Sequence, residues 1–195
     1  QYITISTTGN SIDFGNLSIA RYYVRGTASS TRGIFAGGTV PGAVTNTIDY
    51  VTIASNGGAS DFGDMSINRN GIAVFGNQTR GILAGGYTTP TNTQTSLIEF
   101  VNIANVATTS DFGTLSERRE IMAGFASPTR GIIAGGAQSA TITNLTADIQ
   151  FVTIATGGDS QRFGELRRLR YRLPGASNST RGLTFGGRYP GQSGI

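Results

Sequence analysis

Hydrophobic and polar positions alternate along this chain with a period of two, and no stretch carries the three-to-four spacing of an amphipathic helix. Tyr2-Ile3-Thr4-Ile5, Tyr50-Val51-Thr52-Ile53, Phe100-Val101-Asn102-Ile103 and Phe151-Val152-Thr153-Ile154 each set an aromatic ahead of alternating, mostly β-branched residues. Such runs fit a pleated, half-buried surface and predict strands. A second kind of run is shorter and more apolar. It reads Thr31-Arg32-Gly33-Ile34-Phe35-Ala36-Gly37-Gly38 and returns at Thr79 to Gly86, Thr129 to Gly136 and Thr180 to Gly187. Too brief for a helix and closed by two glycines, it predicts a buried strand that ends in a sharp turn.

Two further landmarks keep phase with these strands. Asp-Phe-Gly occurs at Asp13, Asp61 and Asp111, and degrades to Arg162-Phe163-Gly164 in the fourth copy. The aromatic is kept throughout, so Phe14, Phe62, Phe112 and Phe163 are expected to pack between repeats. An arginine at Arg21, Arg69, Arg119 and Arg170 precedes each Thr-Arg-Gly and opens another predicted strand. Each repeat thus supplies about four antiparallel strands.

The repeats are phased at Tyr2, Tyr50, Phe100 and Phe151, with spacings of 48, 50 and 51 residues. From Phe151 through Ile195 and on to Tyr2 the interval is 46. Ile195 followed by Gln1-Tyr2 also reproduces Ile48-Asp49-Tyr50. The spacing predicts one all-β domain over residues 1–195, a four-bladed β-propeller. Its last blade is shared between residues 151–195 and the N-terminal strand, so that Gly194-Ile195 and Tyr2-Ile3-Thr4-Ile5 close the ring. Gln1 stands where a methionine would start a chain, and a processed start or a longer polypeptide is expected.

The order of Ile-x-x-Gly-Gly, a strand with tyrosine at Ile48-Asp49-Tyr50-Val51, an aromatic before a small-residue turn, and then an arginine resembles kelch repeats over essentially the whole chain. It departs from kelch in having phenylalanine where tryptophan is usual. It is also similar to the Gly-rich Thr-Arg-Gly-x-x-x-Gly-Gly arrays of structural proteins from marine bacteriophages and cyanobacteria. The resemblance implies a propeller on a virion, fibre or cell surface.

Composition narrows the chemistry. There is no cysteine and no histidine, so disulfides, thiolate metal sites and His-based or Cys-based nucleophile pairs are excluded. No enzymatic role and no cofactor is expected, because the remaining carboxylates recur as parts of the repeat. All 15 basic residues are arginine, and the net charge is +4. They sit mostly at repeat positions instead of in one run, which argues against nucleic acid. Arg32, Arg80, Arg130 and Arg181 are expected to serve the blades, and the arginines of each repeat to pair with Asp13, Asp61 or Asp111. No run approaches the roughly 20 apolar residues of a spanning helix, so no membrane insertion is expected.

Candidate partner contacts lie off the repeat. Arg167, Arg168, Arg172 and Arg188 belong to a basic cluster confined to the last blade. Tyr87, Asn92, Gln94 and Tyr189 sit in loops after the double glycine and are residue types that stack on and hydrogen-bond to sugars. The expected function is a structural or adhesive module that docks to other protein subunits, as a homo-oligomer or in a larger assembly, with surface glycan as a further ligand class. A lectin-like carbohydrate-binding propeller and an intracellular kelch-type adaptor are the alternatives.

Overall fold

A computed structural model describes residues 1–139 and 144–190. Every regular element among them is a strand, and the fold is all-β. Three antiparallel meanders dominate. The first sheet runs Arg25–Ala28, Arg32–Ala36, Thr47–Thr52 and Ser60–Asp64. The second runs Ala73–Gly76, Arg80–Ala84, Leu97–Asn102 and Ser110–Thr114, and the third Ala123–Ala126, Arg130–Ala134, Asp148–Thr153 and Gln161–Glu165. A terminal hairpin, Gly175–Ser177 with Gly182–Thr184, repeats only the first two strands. At the other end, Tyr2 bridges Ile12 as Tyr50 pairs with Ser60, so residues 2–14 repeat only the last two.

The registers coincide from sheet to sheet. Ile34 faces Tyr50, Ile82 faces Phe100, and Ile132 faces Phe151. Each third strand is bulged at the same place, between Ile48 and Asp49, Ile98 and Glu99, and Ile149 and Gln150. A bulge re-aims the residue beside it, and here that residue is the buried polar one of each strand: Asp49, Glu99 or Gln150.

The core lies between sheets. Ile34, Ile48, Phe62 and Met65 of the first repeat pack with Ile72, Leu83, Val101 and Ile103 of the second. Ile82, Ile98, Phe112 and Leu115 pack in turn with Met122, Ile133, Val152 and Ile154. Two glycines of the motifs are explained by this stacking. The glycine of Asp-Phe-Gly has positive φ at Gly63 and Gly113, and a Cβ there would meet the next repeat's backbone, at 2.7 Å from the Ala107 oxygen in the case of Gly63. The glycine of Thr-Arg-Gly is a socket. Phe75 of the second sheet lies against Gly131 of the third, and Phe125 against Gly182 of the terminal hairpin.

Phe62 and Phe112 are buried as expected, Phe14 is half-buried, and Phe163 is exposed because among the described residues no third or fourth strand of a following repeat covers it. Among the described residues no strand pairs with the outer edge of Gly182–Thr184. The expected strand at Gly194–Ile195 lies outside the described residues.

Candidate functional site

The Thr-Arg-Gly arginine ties one repeat to the next. Arg32 lies over the Tyr50 ring of its own sheet, 4.7 Å from the centroid, and its Nη1 donates to the Ile103 and Ala104 carbonyls of the second sheet at 3.0 and 2.8 Å. Arg80 does the same over Phe100, donating to the Ile154 and Ala155 carbonyls at 2.8 Å each. A planar guanidinium can stack and donate at once, which a lysine cannot reproduce. Arg130 keeps the ring contact, 4.4 Å over Phe151, but among the described residues no following repeat offers it carbonyls.

In the first three repeats the other repeated arginine is buried in an ion pair, while Arg170 donates to the Gly186 carbonyl. Arg21 Nη2 meets Asp49 at 3.1 Å, Arg69 pairs with Glu99, and Arg119 Nη2 meets Asp148 at 2.8 Å. Burial pushes the Arg69 guanidinium down from its ordinary value to about 10, with Glu99 opposing the shift. Losing one member of such a pair strands the other charge, at a cost of about 3–5 kcal/mol. The carboxylates are not those of the Asp-Phe-Gly motif. Asp61 instead accepts the Gly63 N–H at 3.1 Å, a local turn bond that keeps it at the surface. In the third sheet Gln150 takes the bulge position and donates to Asp148 Oδ2 at 2.6 Å, so the carboxylate has moved two residues upstream.

The off-repeat candidates fall into two groups. Tyr87 and Gln94 lie in a small three-stranded ribbon of Arg69–Asn70, Tyr87–Thr88 and Thr93–Gln94. Tyr87 Oη donates to Asn92 Oδ1 at 3.0 Å on the exposed rim. Gln94 is buried, and its Nε2 donates to Glu120 Oε1 at 2.9 Å. Burial raises the Glu120 carboxyl above 4.5, with the Gln94 bond and Arg172 opposing the rise. Glu120 has no counterpart among Tyr22, Asn70 and Tyr171, the same place in the other repeats, which is the signal that could have marked it.

In the last repeat, Arg167 and Arg168 line an open groove of about 680 Å³ with Arg170, Leu173 and Phe185. Arg188 bridges Tyr171 through the backbone, and Arg170 lies 5.9 Å from the Tyr189 ring centroid. Arg172 stands apart from that groove. It lines a cavity of about 410 Å³ shared by the first strands of all four repeats, with Arg25, Val74, Gly124 and Gly175 around it. The structure therefore joins Tyr87 to Asn92, and Arg167 to Arg168, but does not gather the eight candidates into one site. Arg25, which shares the cavity with Arg172, was missed because it occupies a position held by alanine or proline in the other repeats.

Among the described residues no cluster of carboxylates could hold a metal ion, and no helix is long and apolar enough to cross a membrane. No protein-family model matches the chain, and comparison with curated proteins finds no match either.

Proposed function

We propose that the chain is a non-enzymatic structural and adhesive module of a virion, fibre or cell surface, whose work is docking to other protein subunits. Its repeats are kelch-like blades, and the fourth blade is completed when Tyr2–Ile5 pairs with Gly182–Thr184. The observation that carries this is where the chemistry goes. The ion pairs of Arg21, Arg69 and Arg119 brace single repeats from within, and the stacked guanidiniums of Arg32 and Arg80 join repeat to repeat. Such contacts build a rigid scaffold, leaving end faces and rim loops for recognition. Peptide mass spectrometry of purified virion, fibre and surface fractions tests the role. Enrichment there supports it; confinement to the cytosol overturns it.

A lectin-like second reading is favoured by one feature, the half-exposed Tyr87 ring held beside the exposed Asn92 amide. An aromatic face next to an amide suits a sugar's apolar face and hydroxyls. Binding on a glycan array that Tyr87→Ala abolishes is the outcome this alternative requires.

A further inference from the structure

The arginines that recur in phase are engaged by the scaffold, and two arginines outside the repeat pattern are not. Arg25 stands where the other repeats carry alanine or proline, and Arg172 where they carry tyrosine, glycine or isoleucine, so the stacking of repeats requires neither. Neither enters an ion pair among the described residues. Their contacts are local. Arg25 Nη1 donates to the adjoining Val24 carbonyl at 3.3 Å, and the Arg172 guanidinium lies 5.8 Å from the ring centroid of Tyr171 beside it. One belongs to the first repeat and the other to the last, yet both line the same central cavity of about 410 Å³. No carboxylate lines it with them. Glu120, whose charge acts on Arg172, stands outside the lining with its Oε1 taken by Gln94.

The rest of the wall is main chain and apolar side chain. The hairpin bonds from Ser29 to Arg32, Asn77 to Arg80, Ser127 to Arg130 and Asn178 to Arg181 fix the phase of the first strand of each sheet. Antiparallel pairing alternates, so the residue three places upstream, Gly26, Val74, Gly124 or Gly175, turns its N–H and C=O away from its partner strand. Each first strand is a sheet edge, so no ladder takes up those groups, and all four residues line the cavity. Two glycines keep the main chain uncovered. A Cβ on Gly124 would stand 3.3 Å from the Val74 nitrogen, and one on Gly175 3.2 Å from the Gly124 oxygen. Ile72, Met122 and Leu173 supply the apolar part of the wall.

We propose that this cavity binds a small oxyanion, a phosphate group free in solution or carried on a sugar. The two guanidiniums supply positive charge and forked donors that match phosphate oxygens. The main-chain N–H groups add donors, and the C=O groups accept from hydroxyls, whether of hydrogen phosphate or of a sugar that bears the phosphate. Apolar walls around a few convergent polar groups, at this volume, are the make-up of a small-molecule site. The site is separate from the docking role, and failure of either leaves the other standing.

Titration calorimetry at low ionic strength tests it, with inorganic phosphate, glucose 6-phosphate and glucose as probes. Both phosphates should bind with a single site per chain, and glucose should give no heat. Tighter binding of the ester identifies the sugar-borne group as the ligand; equal or weaker binding identifies the free ion. Arg25→Gln and Arg172→Gln should each weaken phosphate binding about tenfold or more, as expected for loss of a charged hydrogen bond. Arg118→Gln removes the same charge from an exposed position outside the cavity and should leave binding unchanged. Nuclear magnetic resonance supplies a reading that needs no variant, since the Gly26, Gly124 and Gly175 amide signals should shift as phosphate is added. Absence of binding by both phosphates, glucose binding as tightly as they do, an equal loss in Arg118→Gln, or shifts confined to the groove at Arg167 and Arg168 overturns the inference.

Discussion

The second and third sheets carry the same motif with different results. Phe112 meets Phe100 edge-on at 6.1 Å, and Phe163 meets Phe151 in the same way at 6.3 Å. The aromatic pair forms in both places, yet Phe112 is buried and Phe163 is not. Local geometry therefore belongs to the repeat, while burial belongs to its neighbour, as expected of arrays whose stability sums intrinsic and nearest-neighbour contributions.

The sharpest way to break that comparison is to truncate both rings. Phe112→Ala should cost about 3–5 kcal/mol, the usual loss for a buried phenylalanine. Phe163→Ala should stay within about 0.5 kcal/mol, as at ordinary surface sites. Urea midpoints decide, and equal losses would show that coverage by the next repeat contributes little. The sockets come next. Gly131→Ala pushes a methyl into the Phe75 ring and should cost about 1–3 kcal/mol as overpacking does. Gly33→Ala first meets Val51 and Phe35 side chains of its own sheet, nearest at 3.3 Å, and its melting temperature should stay close to the parent's.

Smaller still is the arginine pair. Arg80→Met keeps apolar contact with the Phe100 ring but leaves the Ile154 and Ala155 carbonyls without their donor, for a loss of about 1–2 kcal/mol. Arg130→Met, with no such carbonyls among the described residues, should be near neutral by the same denaturation assay. The smallest effect is a pH dependence at Glu120. Its folded carboxyl titrates above 4.5, so the folded state holds the proton where the unfolded chain has released it. Its contribution is complete below about 4.5 and declines as pH rises through the folded value. Glu120→Gln should keep the Gln94 bond and remove that decline, so its advantage over the parent grows with pH and then levels off. Parallel stability curves would show that Glu120 is not the titrating group.

The strands and their phase were legible because they rest on period-two patterning and glycine, both local properties. The partner of the buried arginine was not, since Asp13, Asp61 and Asp111 also recur in phase and nothing in the sequence says that a turn amide already occupies Asp61. Asp49 and Glu99 look like strand residues due for exposure, and it is the bulge that turns them inward. Nor could spacing place Arg172 away from Arg167 and Arg168. That separation arises because the chain turns at a left-handed residue between them and the terminal hairpin.

That left-handed turn recurs at Tyr23, Gly71, Ile121 and Arg172, all with φ between 52° and 61°. Ile121 donates its N–H to the Gly71 carbonyl at 2.6 Å, and Arg172 donates to Ile121 at 2.9 Å, so successive repeats hold hands through main chain alone. No side chain is required for this ladder, and three unlike residues, Gly71, Ile121 and Arg172, already occupy it. The positions are thus interchangeable as far as the scaffold is concerned, two repeats' worth of them bordering a shared cavity that Arg172 and the neighbouring Ile72 line. A molecule with such a ladder can acquire a new specificity at its centre by point substitution, without renegotiating how its repeats stack.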